Sequence, residues 1–248
     1  MNDKLKEKVW SFSSINTYDT CPHCFKLIYI DEIQKIDNAF AEFGKFCHLL
    51  LQKYFSGEIE FFELSQLYQD EYEVQVLHKF PNFSNGLGDK YYQDGLEYFN
   101  SFEGLPENYR IIGVEQEINL ILSGKKFIGY IDLILQDKAD GKYIIVDHKS
   151  KSGFKSKKEK EHYLYQLYLY ALYIKNQYGE YPKELWFNLF RKNDIIKEPF
   201  REEKIKETLN WFDMTIDLIC SDTCYCKKVN SFYCNQLCGV RNHCDIEG

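Results

Sequence analysis

The chain has 248 residues, 44% hydrophobic and 28% charged, enough apolar material for a sizeable core and too much for wholesale disorder. Its formal net charge of −7 argues against a general polyanion binder, although a nucleic-acid enzyme needs only a local basic strip. The charged start MNDKLKEKVW is followed by no apolar run, so no secretory signal is expected, and no window of about 18 uncharged apolar residues suits a membrane span.

The first third reads as helical. Residues 38–55 carry Phe40, Phe43, Cys47, Leu50, Leu51 and Tyr54 at three- and four-residue spacings. Two more helical patterns cover 61–80 and 88–102, and Leu105-Pro106-Glu107-Asn108 breaks the chain. The period then changes. Residues 110–122, 126–136 and 142–149 are rich in Ile, Val, Leu, Phe and Tyr, punctuated by Ser123-Gly124 and Asp140-Gly141, which predicts a three-stranded antiparallel meander. A lysine-rich loop leads to a helix over 159–178, stopped by Gly179 and Pro182. Strands over 184–191 and 195–200 and a last helix over 201–220 precede a cysteine-rich tail. The 20 Tyr and 19 Phe are expected mostly in the core, with some free to stack on bases.

Two strands carry charge where a buried strand should not. Asp132 interrupts the apolar run Gly129-Tyr130-Ile131-Asp132-Leu133-Ile134, and Tyr143-Ile144-Ile145-Val146 ends in Asp147-His148-Lys149. Period-two alternation puts Asp147 and Lys149 on one face. A hairpin brings Asp132 towards Asp147, and two carboxylates so placed repel unless a cation joins them; hard oxygen ligands suit Mg²⁺ or Mn²⁺. Such a site activates water and stabilises charge developing on a phosphodiester, with Lys149 positioning the nucleophile or neutralising the transition state. On the following helix Gln166 and Tyr170 share a face, Glu115 lies on the preceding strand, and His48 lies on the early helix. The stretch from Asp147 to Lys160 gathers Lys149, Lys151, Lys155, Lys157, Lys158 and Lys160 as a candidate phosphate-binding loop.

The ordered set Gly44-x-x-x-His48, Gly129-x-x-Asp132, Asp147-x-Lys149 and Gln166-x-x-x-Tyr170 resembles the RecB-like branch of the PD-(D/E)XK nucleases. The opening Ser11-Phe12-Ser13-Ser14-Ile15-Asn16-Thr17-Tyr18-Asp19-Thr20-Cys21-Pro22 is similar to that family's N-terminal signature. The resemblance runs from residue 11 to residue 244, and five short motifs in the right order make it specific. It implies an α/β, restriction-endonuclease-like core, a mixed central sheet flanked by helices, with a helical N-terminal region and a cysteine-rich C-terminal tail. It also implies one nuclease domain over 1–248: a helical insertion at 38–105, the catalytic core at 110–200, and a tail at 220–248 joined to Cys21. By motif, His48, Asp132 and Asp147 are the expected metal ligands, Lys149 the catalytic lysine, and Gln166 and Tyr170 residues that orient the site or contact DNA. Glu115 is a further acid linked to the metal or its outer shell. Asp147 stands where many relatives carry Glu, which keeps the carboxylate.

Nine cysteines in a chain expected in a reducing cytosol, of a bacterium or a phage-infected cell, point to metal ligation rather than to a disulfide framework. Cys234, Cys238 and Cys244 form a C-x3-C-x5-C run that by spacing suits Zn²⁺ or an iron–sulfur cluster. The resemblance favours a 4Fe-4S cluster: some RecB-like nucleases, among them AddB-type and CRISPR-associated ones, use one cysteine before the core and three after it, here Cys21 with Cys234, Cys238 and Cys244. Cys24 is the alternative first ligand, Cys220, Cys224 and Cys226 a second candidate set, and Cys47 a core residue. The expected function is therefore a Mg²⁺- or Mn²⁺-dependent deoxyribonuclease, an exonuclease on single-stranded or end-exposed DNA. It would serve phage recombination or replication, repair or CRISPR adaptation, partnered by DNA and by proteins of those processes. The alternative is a catalytically silent DNA-binding or adaptor subunit of a larger repair assembly.

Overall fold

Five strands form one mixed sheet in the order β1-β2-β3-β4-β5. This computed structural model describes residues 3–82 and 86–244. In chain order its regular elements are α1 (Asp3–Lys6), α2 (Phe12–Thr20), α3 (Pro22–Tyr29), α4 (Ala39–Phe55), α5 (Leu64–Gln75), α6 (Leu87–Asn100), β1 (Tyr109–Leu122), β2 (Lys125–Asp137), β3 (Tyr143–Lys149), α7 (Lys157–Tyr178), β4 (Glu184–Leu189), β5 (Asp194–Pro199) and α8 (Glu203–Ser221). The α/β, restriction-endonuclease-like class expected from the motifs is the observed one, with helices flanking a mixed sheet.

The hydrogen-bonding logic of each connection follows from its residues. Ser123 and Gly124 link β1 to β2 with φ of 48° and 79°, both left-handed as a two-residue hairpin turn requires. β2 pairs antiparallel with β3, Leu133 opposite Val146, so the next positions along are Asp132 and Asp147. β3 and β4 are parallel, Asp147 opposite Phe187. A parallel pair needs a crossover, and α7 supplies it. Ser156 caps α7 by accepting the Glu159 N–H at 3.1 Å, and Gly179 ends it with φ 83°. β5 returns antiparallel on β4.

The chain divides into two compact units. The larger holds residues 39–118 and 130–204. Its core joins Phe43, Phe46, Cys47, Leu50 and Leu51 of α4, which recur at helical spacing, to Leu133, Leu135, Ile144, Val146 and Trp186 of the sheet. Cys47 is a core residue as expected, with no exposed surface. The even positions of β3 thus face α4 and α6, and the odd positions Asp147 and Lys149 face α7.

The smaller unit holds residues 1–38, 119–129 and 205–248. Ser11 and Ser14 form a reciprocal capping box at the start of α2, each backbone N–H donating to the other's hydroxyl at 3.1 Å. Cys21-Pro22 ends that helix and begins the next, because proline is tolerated in a first turn but not in a helix interior. Phe25 is fully buried, with ring centroids of Trp10, Tyr225 and Tyr18 at 6.3, 6.2 and 5.7 Å. Among the described residues no helix is long and apolar enough to cross a membrane.

Candidate active site and thiol cluster

Asp147 is buried because it occupies an inward position of β3, in a run from Ile144 to His148 that is buried throughout. Lys149 Nζ lies 2.9 Å from Asp147 Oδ1 and 2.7 Å from Oδ2. It also donates to Gln166 Oε1 at 3.1 Å, and Gln166 Nε2 donates to the Tyr170 hydroxyl at 3.0 Å. The four residues from two motifs therefore form one chain of contacts between β3 and α7. Asp147 Oδ2 stands within ion-pairing distance of Lys149, and the hydrogen bond from the ammonium goes to Oδ1.

Asp132 faces the same site from β2 and accepts the backbone N–H of His148 at 2.6 Å. His48 Nδ1 is 3.8 Å from Asp132 Oδ2. Ligand atoms of His48, Asp132 and Glu115 lie within 4.8 Å of one another. Gly44 explains how α4 delivers His48: a Cβ there would stand 3.2 Å from Ser150 Oγ, so the glycine lets the helix pass close to the end of β3. Glu115 reaches the group from a strand interior where its φ is 45°. A non-glycine residue in that region is strained.

The acids share their burial. Burial, then the neighbouring Asp147 charge, pushes the Asp132 carboxyl well above its ordinary range, against the pull of Lys149. Burial also raises Asp147, although Lys149 opposes it, and burial with the Asp147 charge raises Glu115. For Lys149, burial alone would lower the pKa, but Asp147 and Asp132 outweigh it and the net shift is upward. Burial and the Lys149 charge lower His48 to about 4, so its imidazole is neutral, the form that ligates metals. Once ionised, three acids against one lysine would carry an excess of negative charge that a divalent cation would offset. The donor set of carboxylates and a neutral histidine fits a hard or borderline cation.

The lysine-rich loop is less free than its composition implies. Lys151 pairs with Glu159 at 2.5 Å and Lys160 pairs with Glu198, while Lys155, Lys157 and Lys158 remain exposed. The Lys151 ammonium lies 4.4 Å from the centre of the Tyr163 ring, which also lies 5.3 Å from Lys149 Nζ.

In the smaller unit Cys21, Cys24, Cys238 and Cys244 cluster with Val240 and Tyr233. Cys24 Sγ is 3.3 Å from Cys238 Sγ. The hydrogen bond from Cys24 lowers Cys238 to about 6, giving it thiolate character at neutral pH. Cys234 lies near enough to Cys244 to raise its pKa, though burial is the larger cause. The structure thus brings Cys21, Cys238 and Cys244 together with Cys24, the alternative first ligand, which makes the 3.3 Å sulfur contact with Cys238. The second candidate set is corrected: Cys224 and Cys226 are joined in a disulfide and are not both available as ligands. Tyr225 between them has φ 45°, buries its ring against Phe25, and donates to the Ile219 carbonyl at 2.8 Å.

The family model of the PD-(D/E)XK nuclease superfamily matches residues 9–245, and the chain belongs to that superfamily. The crystal structure of SSO0001 is similar over 90% of this chain and 94% of that one, at 18% identity and a TM-score of 0.33. No curated protein matches the chain. The superfamily points to a metal-dependent nuclease, and His48, Glu115 and Asp132 form a candidate metal-binding group within it.

Proposed function

We propose that the chain is a single-domain, RecB-like deoxyribonuclease that hydrolyses phosphodiester bonds at single-stranded or exposed DNA ends in a Mg²⁺- or Mn²⁺-dependent manner. The observation that carries this reading is buried Asp147 paired with Lys149, with part-buried Asp132 and a neutral His48 beside them. His48, Glu115 and Asp132 would hold the metal, and Asp147, which the motif offers as a further ligand, lies beside them paired with Lys149. When bound, the ion lowers the pKa of water and withdraws charge from the scissile phosphate.

The protein groups do the rest. Lys149 is kept charged by Asp147 and is placed to neutralise a phosphoryl oxygen or to orient the attacking water. Gln166 fixes the ammonium in position, and Tyr170 fixes Gln166. The exposed Lys155, Lys157 and Lys158 track the DNA backbone. The thiols Cys21, Cys234, Cys238 and Cys244, with Cys24 competing for the place of Cys21, hold a 4Fe-4S cluster whose role is structural, because binding to a site absent from the unfolded chain adds to folding stability. The enzyme would work in the cytoplasm of a bacterium or a phage-infected cell, in recombination, repair or CRISPR adaptation.

End-labelled linear DNA and covalently closed circular single strands, each incubated with protein and Mn²⁺, test this reading. Mononucleotide release from linear DNA alone supports an exonuclease. Cutting of circles would show an endonuclease, and no cutting of either would remove the catalytic reading.

A further inference from the structure

Behind β3, on the face away from Asp147 and Lys149, the larger unit contains a cavity of about 280 Å³ that the proposed chemistry does not use. Phe55, Tyr98, Phe102, Tyr109 and Trp186 form its walls. Its floor is polar: Asn188 and His148 line it and are 5% and 4% exposed. Asn188 Nδ2 spends both its protons, on the Tyr98 hydroxyl at 2.7 Å and on His148 Nδ1 at 2.9 Å. Because His148 accepts at Nδ1, its proton is on Nε2. That leaves Asn188 Oδ1 as the acceptor and His148 Nε2 as the donor that these two lining residues bring to the cavity.

Residues 101–106 line the rim, where the Tyr54 hydroxyl accepts the Leu105 N–H at 2.7 Å and Gly104 takes φ 86°. Asn193 Nδ2 donates to Ser101 Oγ at 2.8 Å. Exposed Lys197, its ammonium 4.0 Å from the centre of the Trp186 ring, places a positive charge at the mouth.

We propose that this cavity binds a nucleobase, as a free nucleotide or as an unstacked base of a strand. Aromatic walls stack on a planar heterocycle, a donor beside an acceptor matches the edge of a base, and Lys197 suits the attached phosphate. The volume is at the small end for ligand pockets and limits the occupant to one ring system and its sugar. The occupant would touch His148, whose backbone N–H donates to Asp132 and whose ring meets His48 edge-on at 5.7 Å. The binding claim stands without the nuclease reading; any effect of the occupant on the metal rests on it.

Trp186 reports on the site. Metal-free full-length protein is titrated with deoxynucleosides, their 5′-monophosphates, and an oligonucleotide with a terminal 2-aminopurine, following tryptophan quenching. The expected result is saturable quenching, absent in Trp186→Phe and weakened about tenfold by Asn188→Leu and by rim variant Tyr109→Ala. Tighter binding of monophosphates, lost in Lys197→Ala, identifies a free nucleotide. Tighter binding of the oligonucleotide with quenched 2-aminopurine identifies a strand. No saturable quenching by any probe, or quenching unchanged in Tyr109→Ala, overturns the proposal, even should Asn188→Leu fail to fold.

Discussion

Lys149 lies within 2.9 Å of both carboxylate oxygens of Asp147, yet only Oδ1 receives a hydrogen bond. One buried acid is thereby held by a fixed internal cation. That pairing predicts how the site responds when either partner changes.

Removal of Lys149 leaves Asp147 buried beside Asp132 and Glu115 with no neutralising charge. Lys149→Ala should destabilise the metal-free protein by about 3–5 kcal/mol, as for a buried pair broken from one side. Mn²⁺ should recover part of that loss, and the double variant Lys149→Ala, Asp147→Asn should be more stable than the single one. Chemical denaturation with and without metal measures all three.

Acidity should act on stability in one direction here. Asp132 and Asp147 have raised pKa values when folded, so they bind protons more tightly than in the unfolded chain. Their contribution is fully present below the ordinary carboxylate range and is lost as pH rises through the raised values. The Tm of metal-free protein should therefore fall over that window. The Tm increase caused by Mg²⁺ should grow over the same window, because the cation favours the ionised acids. An increase that shrinks with rising pH would contradict this electrostatic account.

Glu115 combines backbone strain with a candidate ligand. Glu115→Gly removes the left-handed penalty at φ 45° and should keep or raise stability by up to about 1 kcal/mol, while weakening metal binding. Glu115→Gln keeps the strain and should weaken metal binding alone. Calorimetric titration with Mn²⁺ beside thermal melts separates the two effects.

The thiol cluster predicts a colour. Protein purified without oxygen should absorb at about 400 nm if it holds an iron–sulfur cluster. Cys238→Ser should abolish the band, and Cys24→Ser against Cys21→Ser should show which supplies the first ligand. A colourless protein containing stoichiometric zinc would replace the iron–sulfur assignment.

Most of the fold was legible because its signals are local. The three-residue spacing from Phe43 to Leu51, the Ser123-Gly124 turn and the Gly179 stop each specify an element without distant help. The Asp147–Lys149 and Gln166–Tyr170 contacts follow from strand and helix periods, and the hairpin brings in Asp132. Glu115 carried less weight than it now does, because the φ reversal that turns it inward breaks the alternation on which strand reading depends. The Cys224–Cys226 disulfide was hidden for another reason: an argument from compartment treats all thiols alike and says nothing of a bond across one residue. Nor did composition reveal that Glu159 and Glu198 neutralise Lys151 and Lys160, since Glu198 lies on a different strand from the loop.

The most direct test of the central claim is the rate of phosphodiester cleavage on end-exposed single-stranded DNA with Mn²⁺, compared between wild type and Asp132→Asn at equal folded concentration. The account predicts cleavage by the wild type and a loss of at least about a hundredfold in the variant. Equal rates in the two proteins, or cleavage by wild type undiminished after chelation of divalent metal, would contradict it.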